Sequence, residues 1–217
     1  MEIKLITTKD GSHSLYRPDL DEQYHSVFGA LQESLHIFIQ NGFSAMPNKH
    51  IQVFEIGFGT GLNSLLTYLK SAEEKKEVMY YCIEKYPLTQ ELTMQLNYPS
   101  FLSPGSAGIF EAIHSAGWDM DVSLGHFILH KFHADIINFY IPAGNDLVYF
   151  DAFSPDKETL LWSDLIFRKI YDSMTDGGIF VTYSAKGEVR RRLLSTGFRV
   201  ERLPGPPGKH HILRAVK

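Results

Sequence analysis

Apolar and polar positions change rhythm several times along this 217-residue chain. From about residue 50 onward, short apolar runs alternate with segments of helical period. Residues 52–56 predict a first strand, and 62–70 predict the helix after it. Residues 78–83 (Val-Met-Tyr-Tyr-Cys-Ile) are apolar without interruption, the pattern of a strand buried on both faces. Pro87 suits the first turn of a helix running to about Asn97. Residues 126–133 and 146–150 predict two more strands, and 160–174 have helical period. Gly177-Gly178 breaks the chain ahead of a fifth strand at 179–183. A helix over 189–195 stops at Gly197, and 198–203 with 210–216 predict an antiparallel pair.

The first 50 residues follow another pattern. Residues 26–40 predict an amphipathic helix, and 1–5 with 14–16 a small hairpin. Residues 103–125 read as an insertion, helical over 108–117. The expected architecture is α/β: a mostly parallel sheet with a C-terminal antiparallel pair at 49–217, plus an N-terminal extension at 1–48 that covers the site. In such sheets ligands bind outside the C-terminal ends of the strands. Glu55, Glu84, Asp135 and Asp151 all fall at or just past predicted strand ends. A helix cap or first-turn acid explains one or two of them, but not four on one rim.

Composition is ordinary for a globular domain, 44% hydrophobic and 21% charged, and the length suits one domain. No apolar run approaches the roughly 20 residues of a membrane span. The N-terminus lacks the apolar core of a signal peptide. Cys82 is the single cysteine, so no internal disulfide is possible, and its apolar strand makes it a core thiol. A cytoplasmic protein without membrane contact is expected. Net charge is −4, yet residues 186–217 carry nine Lys/Arg and two acids. Such asymmetry marks either a polyanion-binding face or a solvated helix surface. Arg190, Arg191 and Arg192 are consecutive and cannot all face one partner. Among the ten histidines, His210 and His211 point opposite ways on a strand. His126, His130 and His133 lack companions at zinc spacing, so no metal is expected.

The chemistry starts at Val53-Phe54-Glu55-Ile56-Gly57-Phe58-Gly59-Thr60-Gly61-Leu62-Asn63. A buried strand that turns at once into a helix needs residues without Cβ, and such a turn exposes backbone N–H groups to a nucleotide-like ligand. The spacing G-x-G-x-G departs from the dinucleotide fingerprint, whose third glycine falls at Leu62, and no Lys-Ser/Thr completes a phosphate loop. With Glu55 two residues ahead, the turn resembles motif I of class I S-adenosylmethionine (SAM) methyltransferases, whose fold is a Rossmann-like sheet.

Four further stretches sharpen that resemblance: Ile83-Glu84-Lys85-Tyr86-Pro87-Leu88-Thr89, Tyr149-Phe150-Asp151-Ala152-Phe153-Ser154-Pro155, residues 182–191 from Thr-Tyr-Ser-Ala-Lys to Arg-Arg, and 203–215 with its Pro-Gly-Pro-Pro-Gly-Lys-His-His core. Together they resemble the MnmC N-terminal (MnmD-type) tRNA methyltransferases, from about Tyr24 to the C-terminus. The resemblance implies methyl transfer from SAM to the amine of 5-aminomethyl-2-thiouridine at the tRNA wobble position. Fused family members carry a flavin oxidase domain after this one. This chain is expected to be the stand-alone form, without FAD, dependent on another enzyme for the aminomethyl uridine.

The resemblance also implies roles. Gly57, Phe58, Gly59, Gly61 and Asn63 form the cofactor turn, and Glu55 anchors the methionine amine. Glu84, with Lys85 beside it, takes the ribose hydroxyls. Asp135 accepts from the adenine amino group while Ile136 packs on the ring. Asp151 lies beside the methyl and accepts the amine proton. Phe153 and Tyr183 offer stacking faces to a splayed anticodon-loop base. Lys186, Arg190, Arg191, Lys209 and His210 contact phosphates. Tyr24, His25 and Glu33 resemble a family segment that covers the cofactor. Two other readings stay open: methylation of a small amine or aminopropyl transfer on the same fold, and an RNA-binding module without catalysis.

Overall fold

The computed structural model describes residues 2–217. Three short strands, β1 (Lys4–Thr7), β2 (His13–Arg17) and β3 (Glu22–Gln23), form a separate antiparallel sheet. A helix follows, α1 (Ala30–Ser34), which continues as a π-turn over Leu35–Gln40. Then come β4 (His50–Ile56), α2 (Leu62–Glu74), β5 (Glu77–Glu84), α3 (Gln90–Thr93) and α4 (Ser106–Ser115). The chain goes on through β6 (Asp121–Ser123), β7 (Phe127–His133), β8 (Asn145–Phe150) and α5 (Asp164–Ser173). It closes with β9 (Met174–Thr182), α6 (Gly187–Thr196), β10 (Arg199–Pro204) and β11 (His211–Val216).

The main sheet has eight strands in the order β10-β11-β9-β8-β4-β5-β7-β6. The five central strands pair in parallel, and β6, β11 and β10 add antiparallel edges. Two apolar clusters fill the two faces. Val53, Tyr80, Leu65 and Ile113 belong to one, under α2 and α4. Phe54, Phe150, Phe180 and Phe167 belong to the other, under α5 and α6. Alternation along β4 thus sends Val53 and Phe54 to opposite layers.

Several expected elements differ. The helix expected from Pro87 to Asn97 shrinks to α3, because Asn97 is tied to the β1–β2 turn. Asn97 Nδ2 donates to Gly11 O at 3.0 Å, and Asn97 Oδ1 accepts from the His13 N–H at 2.7 Å. The helix expected over 26–40 starts at Ala30. Its first N–H groups donate to side chains of the same turn: Ala30 and Leu31 to Ser12 Oγ, and Gln32 to Asp10. The Gly177-Gly178 pair does not end an element. It sits inside β9, where the register against β8 shifts between Asn145 and Leu147, a bulge. Strand β6 lies within the segment expected to be an insertion. The expected hairpin over 1–5 and 14–16 forms as β1 and β2, with Met1 outside the described residues.

Candidate active site

Strands β5 and β8 leave β4 on opposite sides, so the sheet has its topological switch where β4 and β8 end. The glycine turn sits there. The Gly57 N–H donates to Ile83 O at 3.1 Å, and the Asp151 N–H donates to Ile56 O at 3.0 Å. At φ +89° Gly57 comes so close to β8 that a Cβ would lie 2.6 Å from Asp151 O. Only glycine fits, and the close approach holds the turn against Asp151.

A cavity of about 640 Å³ opens over these strand ends. Its floor includes Gly57, Gly59, Glu84, Lys85, Asp135 and Ile136. Asp151, Phe153, Tyr183 and Lys209 line the other side. A much smaller pocket adjoins it, between the glycine turn, Asn63 and Asp151.

The acids are held in distinct ways. Glu84 accepts from the Gly59 N–H at 3.1 Å and the Tyr86 N–H at 2.8 Å, so its carboxylate is fixed on the cavity floor. Asp135 accepts from the Ile137 N–H at 3.0 Å and pairs with Lys85 at 2.9 Å. Burial opposes its ionisation, but these donors outweigh burial and hold the carboxyl below its usual range. Asp151 Oδ2 accepts from Asn63 Nδ2 at 2.8 Å. Burial raises the Asp151 carboxyl to about 7, with the charge of Glu33 adding to it and Asn63 and Lys209 opposing.

Glu55 departs from expectation. Only 1% exposed, it does not line the cavity. Its oxygens accept from Asn63 Nδ2 and the Tyr80 hydroxyl, both at 2.9 Å, and burial pushes the carboxyl well above its usual range. The cause is strand parity. Glu55 shares the Val53 face of β4, under α2, rather than reaching the rim. Phe58 also turns inward, edge-on to Trp118 and His114, and Gly61 sits beneath it. Asn63 is the residue that reaches forward to Asp151.

Of the five basic candidates, Lys209 alone lines the cavity. Lys186 pairs with Asp156, Arg190 is half-buried, and Arg191 and His210 are exposed.

The N-terminal segment forms a whole wall, and most of it escaped the sequence reading. Glu22 accepts from the Ser154 N–H at 2.9 Å and from its hydroxyl at 3.1 Å, fixing the loop after Asp151. The Tyr24 ring stands edge-on to Phe153 at 5.0 Å and covers Gly59. Arg17 lies over the Phe153 ring at 5.6 Å. Glu33 reaches the cavity from α1. The clustering of Tyr24, His25 and Glu33 hinted at this wall. Nothing local marks Arg17 or Glu22.

Comparison with known proteins fits this geometry. Residues 126–217 match a family model described as S-adenosyl-L-methionine-dependent methyltransferase. The chain is 31% identical over 212 residues to the tRNA 5-methylaminomethyl-2-thiouridine biosynthesis bifunctional protein MnmC of Cupriavidus necator, covering 89% of this chain and 31% of that protein. It superposes on the crystal structure of MNMC2 from Aquifex aeolicus with a TM-score of 0.84 at 26% identity, over 99% of this chain and 70% of that one.

In sequence and in fold the chain is similar to MnmC proteins.

It spans about a third of the length of the curated MnmC relatives it matches. Its sheet is that of the class I SAM-dependent methyltransferases. Spermidine synthase from Thermotoga maritima shares the fold, with a TM-score of 0.58 over 100% of this chain and 79% of that one. At 13% identity that likeness extends to the fold alone. Among the described residues, no helix is long and apolar enough to cross a membrane.

Proposed function

We propose that this chain methylates the amine of 5-aminomethyl-2-thiouridine at the tRNA wobble position, with SAM as methyl donor. The observation that carries the reading is Asp151. This carboxylate sits at the switch-point strand end, is fixed on one oxygen by Asn63, and takes up its proton near neutral pH.

The lining fits SAM. The glycine turn admits a close backbone approach, and the floor carries fixed carboxylate acceptors. Asn63 Oδ1 is buried with no hydrogen-bond partner among the described residues, so it suits a donor such as the methionine ammonium. Glu84 takes the ribose hydroxyls, Asp135 the adenine amino group, and Ile136 packs on the ring. Glu55 acts through Asn63, which it orients. When bound, SAM supplies a methyl group on a positively charged sulfur, which leaves as a thioether with the bonding electron pair.

The residues of the chain do the rest. An alkyl ammonium has no free lone pair and must lose a proton before it attacks. Asp151 holds the ammonium and accepts that proton, the work of a base matched to neutral pH. Tyr183 and Phe153 orient the splayed base. Alignment of amine and methyl supplies most of the acceleration. Arg190, Arg191, Lys186 and His210 meet loop phosphates, which give affinity and salt dependence but little sequence choice. Another reaction, one that installs the aminomethyl group, must precede this one.

The test is transfer of labelled methyl to tRNA from cells unable to methylate the aminomethyl uridine, followed by nucleoside mass analysis. One added methyl on that nucleoside alone supports the reading. SAM binding without tRNA methylation overturns the substrate.

A further inference from the structure

The turn at 204–210 crosses to the N-terminal segment. His36 Nε2 lies 2.8 Å from Pro204 O. Gly208, at φ +86°, packs on Phe28 so closely that a Cβ would lie 2.2 Å from its ring. The Lys209 N–H donates to Pro206 O at 2.9 Å, and the Gly205 N–H donates to His210 O at 3.1 Å. So built, the turn sends the Lys209 side chain back into the cavity. Its Nζ lies 3.3 Å from Glu33 Oε1 and 4.8 Å from the centre of the Tyr183 ring. The Glu33 side chain is 8% exposed and that of Lys209 27%.

A carboxylate and an aromatic face are the partners that let a cation leave water. Asp151 lines the same space and feels both charges. Lysine is itself a primary alkylammonium, the chemical class of the group that the proposed reaction methylates. We propose that Lys209 occupies a recognition site for a primary alkylammonium, built by Glu33, Tyr183 and Asp151, and that the substrate's ammonium takes its place. This rests on the function proposed above. Lys209 is then a resident competitor. A free amine must displace it unaided. An RNA substrate brings a phosphate to which the displaced Lys209 can move. Selection for an amine carried on RNA follows from that exchange.

The test uses n-butylammonium chloride as probe and n-butanol as neutral control, with affinities read by NMR titration in the absence of tRNA. Proteins compared are the wild type, Lys209→Met, Lys209→Arg and Lys209→Met with Glu33→Gln. Lys209→Gln serves as a second neutral variant should Lys209→Met unfold. If Lys209 fills the site nine-tenths of the time, its removal should tighten n-butylammonium binding about tenfold. Lys209→Arg should behave as wild type, and adding Glu33→Gln should remove the gain. Butanol should bind alike throughout. Equal affinity of wild type and Lys209→Met for the ammonium overturns the proposal, and so does an equal gain for butanol. Neither outcome touches methyl transfer to tRNA, which the nucleoside assay reads separately.

Discussion

Asn63 donates to Asp151 across 2.8 Å, joining the first turn of α2 to the end of β8. Its other N–H reaches Glu55 at 2.9 Å. One amide thus serves two acids of different burial. The carboxylate facing the cavity is positioned from behind by one that does not line it.

Replacing Asn63 with leucine withdraws a donor from both acids. Glu55 keeps only the Tyr80 hydroxyl, and the loss should cost roughly 1–3 kcal/mol of stability. Asn63 donation also lowers the Asp151 pKa. The pH midpoint of methyl transfer should therefore move upward in Asn63→Leu. Urea unfolding and a pH–rate profile measure the two effects, and an unmoved midpoint would disprove the coupling.

Asp151 should set the pH dependence of the wild type. Its carboxyl titrates at about 7. Single-turnover methyl transfer should rise with pH through that value as the base ionises. Asp151→Asn should lose about 10²–10⁴-fold in rate with tRNA affinity retained. A wild-type profile that is flat across about pH 6–8 would remove Asp151 from the proton-accepting role.

Two buried histidines should weaken the fold in mild acid. Burial lowers His25 and His114 to about 4 each, opposed in His114 by the Thr60 carbonyl contact. The unfolded chain binds their protons from about 6.5 downward. Stability is therefore intact above that pH and falls as pH drops toward 4, by roughly 2 kcal/mol per histidine between pH 7 and 5. Denaturant titrations at the two pH values test this, with His25→Gln expected to recover its share.

Arg190 and Arg191 should act on RNA alone. Changing both to glutamine should reduce the slope of log affinity for tRNA against log salt by about one to two, and leave SAM binding unchanged. Filter binding at several salt concentrations, beside calorimetry with SAM, separates the two. An unaltered slope would place the RNA on another face.

The strands and the glycine turn were legible because their signals are local. Continuous apolar runs mark the central strands, and residues 57–61 carry turn chemistry in their composition. Glu84, Asp135 and Asp151 reach the rim as strand-end position implies. Glu55 shows the limit of that rule. It lies one residue inside β4, and one residue of parity turns it under α2. The wall made by Arg17, Glu22 and Tyr24 depends on contacts between remote segments, such as Glu22 with Ser154, which no periodicity encodes. The short α3 is a similar case, where Asn97 bonds to the β1–β2 turn override helical preference.

The meeting of Glu33 and Lys209 sets an order of events during biosynthesis. Glu33 leaves the ribosome early, and Lys209 follows 176 residues later. While the β10–β11 hairpin is still inside the exit tunnel, the parallel strands can already pair, but the pocket lacks the side that Lys209 supplies. The Glu33–Lys209 pair therefore assembles only after the parallel scaffold can form.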